Sequence, residues 1–231
     1  LDRTIGKTFS IYQKSANSSL TIADNVTIEG LEILANGFAT SGNNTNINGT
    51  LKAMSLKQWT SDGTITVSET GKVWLGYGDG QFDLAYGNGA VVIDGNGDKT
   101  EEQFKAGYSG TRGNGNTLTL NDTYFEAGAW FNLNGSNGTI NINNSLLKVS
   151  GGDAAGKMTI KAGNVVYVNE GGTLECANIT LEEGAKIVVN GGTLKAKTVT
   201  NNGEIAVLGE STLNIETHTG ENIDFLDGAI V

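Results

Sequence analysis

The 231-residue chain contains no proline, one cysteine, one histidine and two methionines. Each shortage excludes something. Cys176 has no second cysteine to pair with, and its neighbours Leu174 and Ala177 mark it as a small buried apolar side chain. One Cys and one His cannot close a tetrahedral zinc site. Ser-His-Asp chemistry would rest on His218 alone, within the polar run Glu216-Thr217-His218-Thr219-Gly220, which reads as surface. Lacking proline and a glycine at every third position, the chain is not collagen. No apolar run reaches the roughly 18 residues that a membrane-spanning helix needs. Basic residues are also few. Fifteen Lys and Arg against 25 Asp and Glu give a net charge of −10 and a pI near 4.5. Nucleic-acid backbones and anionic membrane surfaces are therefore disfavoured partners.

Present in excess are 34 Gly, 26 Asn and 26 Thr, with 38% hydrophobic residues. That is enough apolar surface for a core, in a composition that disfavours helix. The start, Leu1-Asp2-Arg3-Thr4-Ile5, has neither a methionine nor a basic segment leading into an apolar run. The expectation is a single domain over residues 1–231, cut from a longer secreted precursor.

Repetition is the strongest signal. Gly171 to Asn190, Gly191 to Gly209 and Glu210 to Gly228 align as segments of 20, 19 and 19 residues. Leu174, Leu194 and Leu213 fall in register, as do Cys176, Ala196 and Ile215, and Ile187 and Val189 match Ile205 and Val207. Within each segment apolar residues alternate as in half-buried strands, with Gly and Asn at the turns. A looser apolar-Thr-apolar unit recurs at Leu20-Thr21-Ile22, Ile65-Thr66-Val67, Leu118-Thr119-Leu120, Met158-Thr159-Ile160 and Ile179-Thr180-Leu181. A period near 20 built from short strands and turns predicts an all-β solenoid of stacked parallel coils rather than a hairpin sandwich.

Between Gly76 and Asn116 the pattern lapses, and this stretch is expected to be an insertion serving as a candidate binding region. Ala90-Val91-Val92-Ile93 reads as a strand in it, and Asp98-Lys99-Thr100-Glu101 as a capping box opening a short helix that ends before Gly107. Trp74 at its border and Tyr77, Phe82, Tyr86, Phe104 and Tyr108 within it are candidate ligand-binding aromatics. A second irregular stretch covers residues 37–60. Thr64/Thr66 and Thr117/Thr119 read as isolated pairs, without the continuous array of an ice-binding face.

Paired carboxylates are the remaining route to catalysis, and Asp79, Asp83, Asp94, Asp98, Glu101 and Glu102 cluster in the insertion. Asp94, Asn96 and Asp98 have the i, i+2, i+4 spacing of a calcium loop, although Lys99 and Lys105 stand where an EF-hand has Gly and Glu. Calcium is thus the one cofactor considered, and no catalytic residue is assigned.

Ile93-Asp94-Gly95-Asn96-Gly97 resembles a coil turn common in the pectin-lyase-like superfamily, while the Asn-Thr-Asp, Asp-Asp and His-Gly signatures of polygalacturonases are absent. The Gly-Gly-Thr-Leu coils at Gly171 and Gly191, with the acidity and the lack of Pro and Cys, resemble passenger domains of bacterial autotransporter adhesins of the self-associating, AIDA-like type. That resemblance covers about 60 residues well. It implies a right-handed parallel β-helix with about 20 residues per coil, displayed outside the cell on the bacterial surface and held to the membrane only by an anchor or barrel outside this sequence. The implied activity is adhesion without catalysis, to a host-surface glycan or protein or to another copy, as in cell aggregation and biofilm. The alternative is a carbohydrate-active β-helix enzyme using the clustered carboxylates.

Overall fold

The computed structural model describes residues 10–12, 17–29, 32–35, 42–58, 62–75, 80–84, 87–151, 156–226 and 228–230. Every regular element among them is a strand, and the strands pair in parallel in one 14-stranded and one 10-stranded sheet. The chain winds as a β-solenoid with about 22 residues per turn. Its three faces follow from the pairing. Face one is the 10-stranded sheet, one strand per turn from Ser19–Ile22 to Ile223–Phe225. The larger sheet turns a corner into faces two and three. Early turns cross that corner with two short strands, as in Thr50–Ala53 and Ser55–Gln58. Most later turns cross it within one long strand, as in Tyr124–Leu133 and Thr193–Asn201, while Leu146–Val149 and Lys157–Ile160 remain separate.

Parallel stacking sets equivalent residues of successive turns roughly 4.8 Å apart, so the interior is a set of ladders. On face one Ile47, Val67, Ile93, Leu120, Ile142, Val168, Val189 and Val207 stand in register. On face two the column runs Leu51, Val73, Phe104, Phe125, Leu147, Leu174 and Leu194. On face three it is Leu56, Phe82, Ser109, Phe131, Met158, Ile179 and Val199. All of these are essentially fully buried. The alternation that marked strands in the sequence is what buries them: every second residue of a strand points inward.

Midway along the stack the interior is aromatic. Phe104 stacks on Phe125 with centroids 4.6 Å apart, and Phe82 and Phe131 meet this pair edge-on or tilted. Small Ser109 lies in the ladder between Phe82 and Phe131. Its hydroxyl, 1% exposed as a residue, has no hydrogen-bond partner among the described residues.

Three polar devices hold the turns in place. At the corner from face three to face one, buried Asn164 accepts from Gly138 N at 2.9 Å and donates to the carbonyls of Gly135, Lys161 and Leu133. Asn116 repeats the arrangement with Gly89 N, Leu84 O and Gly113 O. Gly138 is required there because a Cβ would stand 2.7 Å from Asn164 Oδ1. On the exterior of face one an amide ladder runs along the stack. Asn121 Nδ2 donates to Asp94 at 2.8 Å, Asn143 Nδ2 to Asn121 at 2.8 Å, and Asn169 Nδ2 to Asn143 at 2.7 Å. On the exterior of face two charges alternate turn by turn through Lys105, Glu126, Lys148, Glu175 and Lys195.

The structure corrects several expectations. Residues 80–84 and 87–116 are not an insertion: Gln81–Leu84 closes one turn, and Ala90–Asp94 with Phe104–Thr111 makes up the next, all in register with their neighbours. The pattern looked broken because these turns are long, with Thr64 pairing Ala90 and Ala90 pairing Thr117. Ala90–Asp94 is the expected strand. The expected helix is a loop followed by a strand. Asp98 does bond Thr100 N and Oγ1, but its own amide goes to Asn96 Oδ1, and Phe104 and Ala106 are taken into the core ladder of face two. Residues 44–58 likewise form an ordinary turn. The threonine pairs form no continuous array, as expected, although they lie on one face. Thr64/Thr66 and Thr117/Thr119 share two outward columns of face one, separated by Ala90/Val92 and bordered by Asn44/Asn46 and Thr139/Asn141. That array is broken by the apolar turn, and Thr64 Oγ1 donates within it to Asn44 Oδ1 at 2.6 Å.

Two substitutions separate the satisfied from the orphaned polar groups. Asn164→Ala strips partners from a buried N–H and several carbonyls and is expected to cost about 3 kcal/mol or more in chemical denaturation. Ser109→Ala removes a hydroxyl that bonds nothing and is expected to leave stability unchanged or raise it by about 1 kcal/mol. A destabilising Ser109→Ala together with a neutral Asn164→Ala would contradict this assignment.

Candidate functional site

Outward residues of face three form a groove at the aromatic turns. Gln81, Tyr108 and Trp130 occupy one outward column, with Lys157 one turn further on. Asp83, Gly110 and Asn132 occupy the next column. Trp130 is exposed because it precedes Phe131 in one strand: of two adjacent aromatics only one can face the core, and Phe131 does. A bulge between Ala106 and Tyr108, at the corner from face two, sets the register of the pair.

The groove has a volume of about 160 Å³ and is lined by Tyr108 and Trp130 on one side and by Asp83, Arg112 and Asn134 on the other. The Tyr108 and Trp130 rings lie 4.9 Å apart at 50° to one another. Arg112 grips Asp83 at two points, with Nε donating to Oδ1 at 3.1 Å and Nη2 to Oδ2. Gly110 forms the floor. A Cβ on it would stand 2.5 Å from the Asn132 carbonyl oxygen, so any larger residue would disturb the sheet here. Exposed π-faces beside a charged donor–acceptor pair can hold the C–H face and the hydroxyls of one ligand together.

The expected aromatics are dispersed by the fold. Tyr108 is on the groove. Phe82 and Phe104, 2% and 0% exposed, are core residues whose positions in the alternation point inward, and Phe82 reaches the groove only at its base. Trp74 is exposed on face two, where Lys52 Nζ lies 5.4 Å from its ring centroid. Tyr77 and Tyr86 lie outside the described residues. Trp130, Arg112 and Asn134 were missed; the adjacent pair Trp130-Phe131 inside an alternating segment was the available signal for the first.

The carboxylates disperse as well. Asp83 pairs with Arg112 on face three, and Glu101 lies 3.6 Å from Lys72. Glu102 meets Glu126 on face two, with Lys105 Nζ 3.4 and 3.6 Å from the two. The hydrogen bond with Glu126, then that with its own backbone amide, holds the Glu102 carboxyl below its ordinary value. Burial, with Glu126 beside it, pushes the Tyr124 hydroxyl up. Asp79 lies outside the described residues. Asp94 does line a groove, an open one of about 470 Å³ shared with Glu69 and Asp122. Its carboxylate is the end of the amide ladder, and Asp122 likewise accepts from Asn144 at 2.6 Å.

The calcium candidate is not assembled. Asp94 Oδ1 faces Asn121, Asn96 Oδ1 accepts the Asp98 amide, and Asp98 Oδ1 takes Thr100, so the three side chains serve separate local bonds. No cluster of three or more His, Cys, Asp or Glu suited to a metal occurs among the described residues. No protein-family model, curated protein or solved structure matches the chain.

Cys176 sits in the interior with Sγ 3.2 Å from Asn178 O, and burial pushes its thiol up to about 12. The folded protein is therefore expected to resist thiol alkylation at pH 8, with labelling appearing only as denaturant opens the stack. Rapid labelling of the folded protein would place Cys176 at an accessible surface instead.

Proposed function

We propose that this chain is an adhesin-type binding module that attaches to glycan through the face-three groove, without catalysis. The observation that carries the reading is the Tyr108–Trp130 pair, half-buried Tyr108 against exposed Trp130, beside the Asp83–Arg112 pair over a glycine floor. Aromatic faces take up the apolar side of a sugar ring, and the ion pair supplies both a donor and an acceptor for its hydroxyls. Asp83, Tyr108 and Trp130 project from paired strands, so their backbone needs no reordering on binding. The resemblance of the Gly171 and Gly191 coils to autotransporter passengers supports display on a bacterial cell surface. A protein receptor and homotypic contact are the other partners that this reading allows.

A second reading as a carbohydrate-active enzyme rests on the groove of Glu69, Asp94 and Asp122. Among the described residues no aromatic lines it to position a sugar, and two of its carboxylates are engaged by asparagine amides.

Passing the protein over immobilised polysaccharides and host glycans, while assaying released sugar, tests both readings. The expected result is retention without product, reduced about tenfold or more in Trp130→Ala, in line with the worth of one aromatic contact at a binding centre. Released sugar that disappears in Asp94→Asn/Asp122→Asn would establish the enzyme and overturn the adhesin reading.

A further inference from the structure

Resting on the glycan reading, we infer that the groove takes one neutral hexopyranose at the end of a glycan chain, with two adjacent hydroxyls held by Asp83 and Arg112. Size is the first ground. At about 160 Å³ the groove is well below the roughly 300–1,000 Å³ of sites that enclose larger ligands, and suits a single sugar ring. Shape is the second. Tyr108 and Trp130, inclined at 50°, make a wedge rather than a plane, so they do not offer a flat platform to consecutive sugars of a chain. The aromatic column is also only two turns long, with Gln81 before it and Lys157 after it.

Charge is the third ground. A sugar carboxylate is best gripped by a guanidinium fork, and the fork of Arg112 is already closed on Asp83. The Asp83 carboxylate and the net charge of −10 both oppose an anionic ligand. A neutral diol fits the pair. A carboxylate has about four acceptor positions, and the two-point contact with Arg112 uses two of them. Asp83 can thus accept from one hydroxyl while the guanidinium, whose side chain is 58% exposed, donates to its neighbour. The ring C–H face then rests on Trp130.

Titration with methyl glucoside, galactoside and mannoside, their monodeoxy analogues, and methyl glucuronide, read by ligand-observed NMR, tests the inference. At least one neutral hexoside is expected to bind with millimolar Kd. Loss of one hydroxyl of the recognised pair, or Asp83→Asn, is expected to weaken it about tenfold or more, the cost of one charge-assisted hydrogen bond. The glucuronide is expected to bind at least about tenfold more weakly than the best neutral sugar. An unchanged thermal midpoint for Asp83→Asn ties its loss to the ligand rather than to the fold. Glucuronide binding as tightly as the neutral sugars, for example through Lys157, overturns the inference. So does a glycan column that retains the protein when no monosaccharide binds, and in that case the glycan reading survives. Failure of both monosaccharides and columns removes the reading and the inference together.

Discussion

Everything in this molecule depends on one constraint: each turn must set its inward side chains on those of the turn before. Parallel strand pairing fixes the spacing, and the ladders of Ile, Val, Leu and Phe supply the burial that no single turn could achieve. With one cysteine, and no metal cluster among the described residues, cohesion rests on stacking. The corners are where stacking is most exposed to failure, since backbone groups there leave the sheets. Buried Asn116 and Asn164 meet that problem by bonding to the backbone of the same turn and of neighbouring turns. Outside, the Asp94–Asn169 amide ladder and the alternating charges of face two repeat the same register in polar form.

The last coils were fully legible in the sequence. Leu174, Leu194 and Leu213 stack as their alignment implies, because short turns there keep the repeat near its period. The middle of the chain was legible only as strands. Ile65-Thr66-Val67 lies on face one, whereas Ile179-Thr180-Leu181, which looks like the same unit, lies on face three. Period-two alternation is identical on all three faces, so it shows that a residue is inward without showing on which face. Around Ala90 it was the length of the turns that hid the repeat. The aromatics of that region were then taken as an exposed group, although Phe82 and Phe104 are the fill of the core.

The groove is a product of the outward half of the alternation. Side chains on the exterior of a solenoid stand in columns at a fixed spacing, so replacing a few of them writes a site onto an otherwise uniform face. On face three, Tyr108 and Trp130 interrupt a polar column, and Gly110 removes a side chain between Asp83 and Asn132. The buried phenylalanines beneath give these strands a packed support, which is what holds a small binding site in a fixed shape. Arg112 could not be tied to Asp83 from sequence, because 29 positions separate them and only the coil brings them together.

The most direct measurement of the central claim is the indole N–H spectrum of the ¹⁵N-labelled protein as glycan is added. The Trp130 resonance is predicted to shift on binding while Trp74, on face two beneath Lys52, stays in place. A shift at Trp74 with Trp130 unmoved would put the binding surface on a different face and contradict the account.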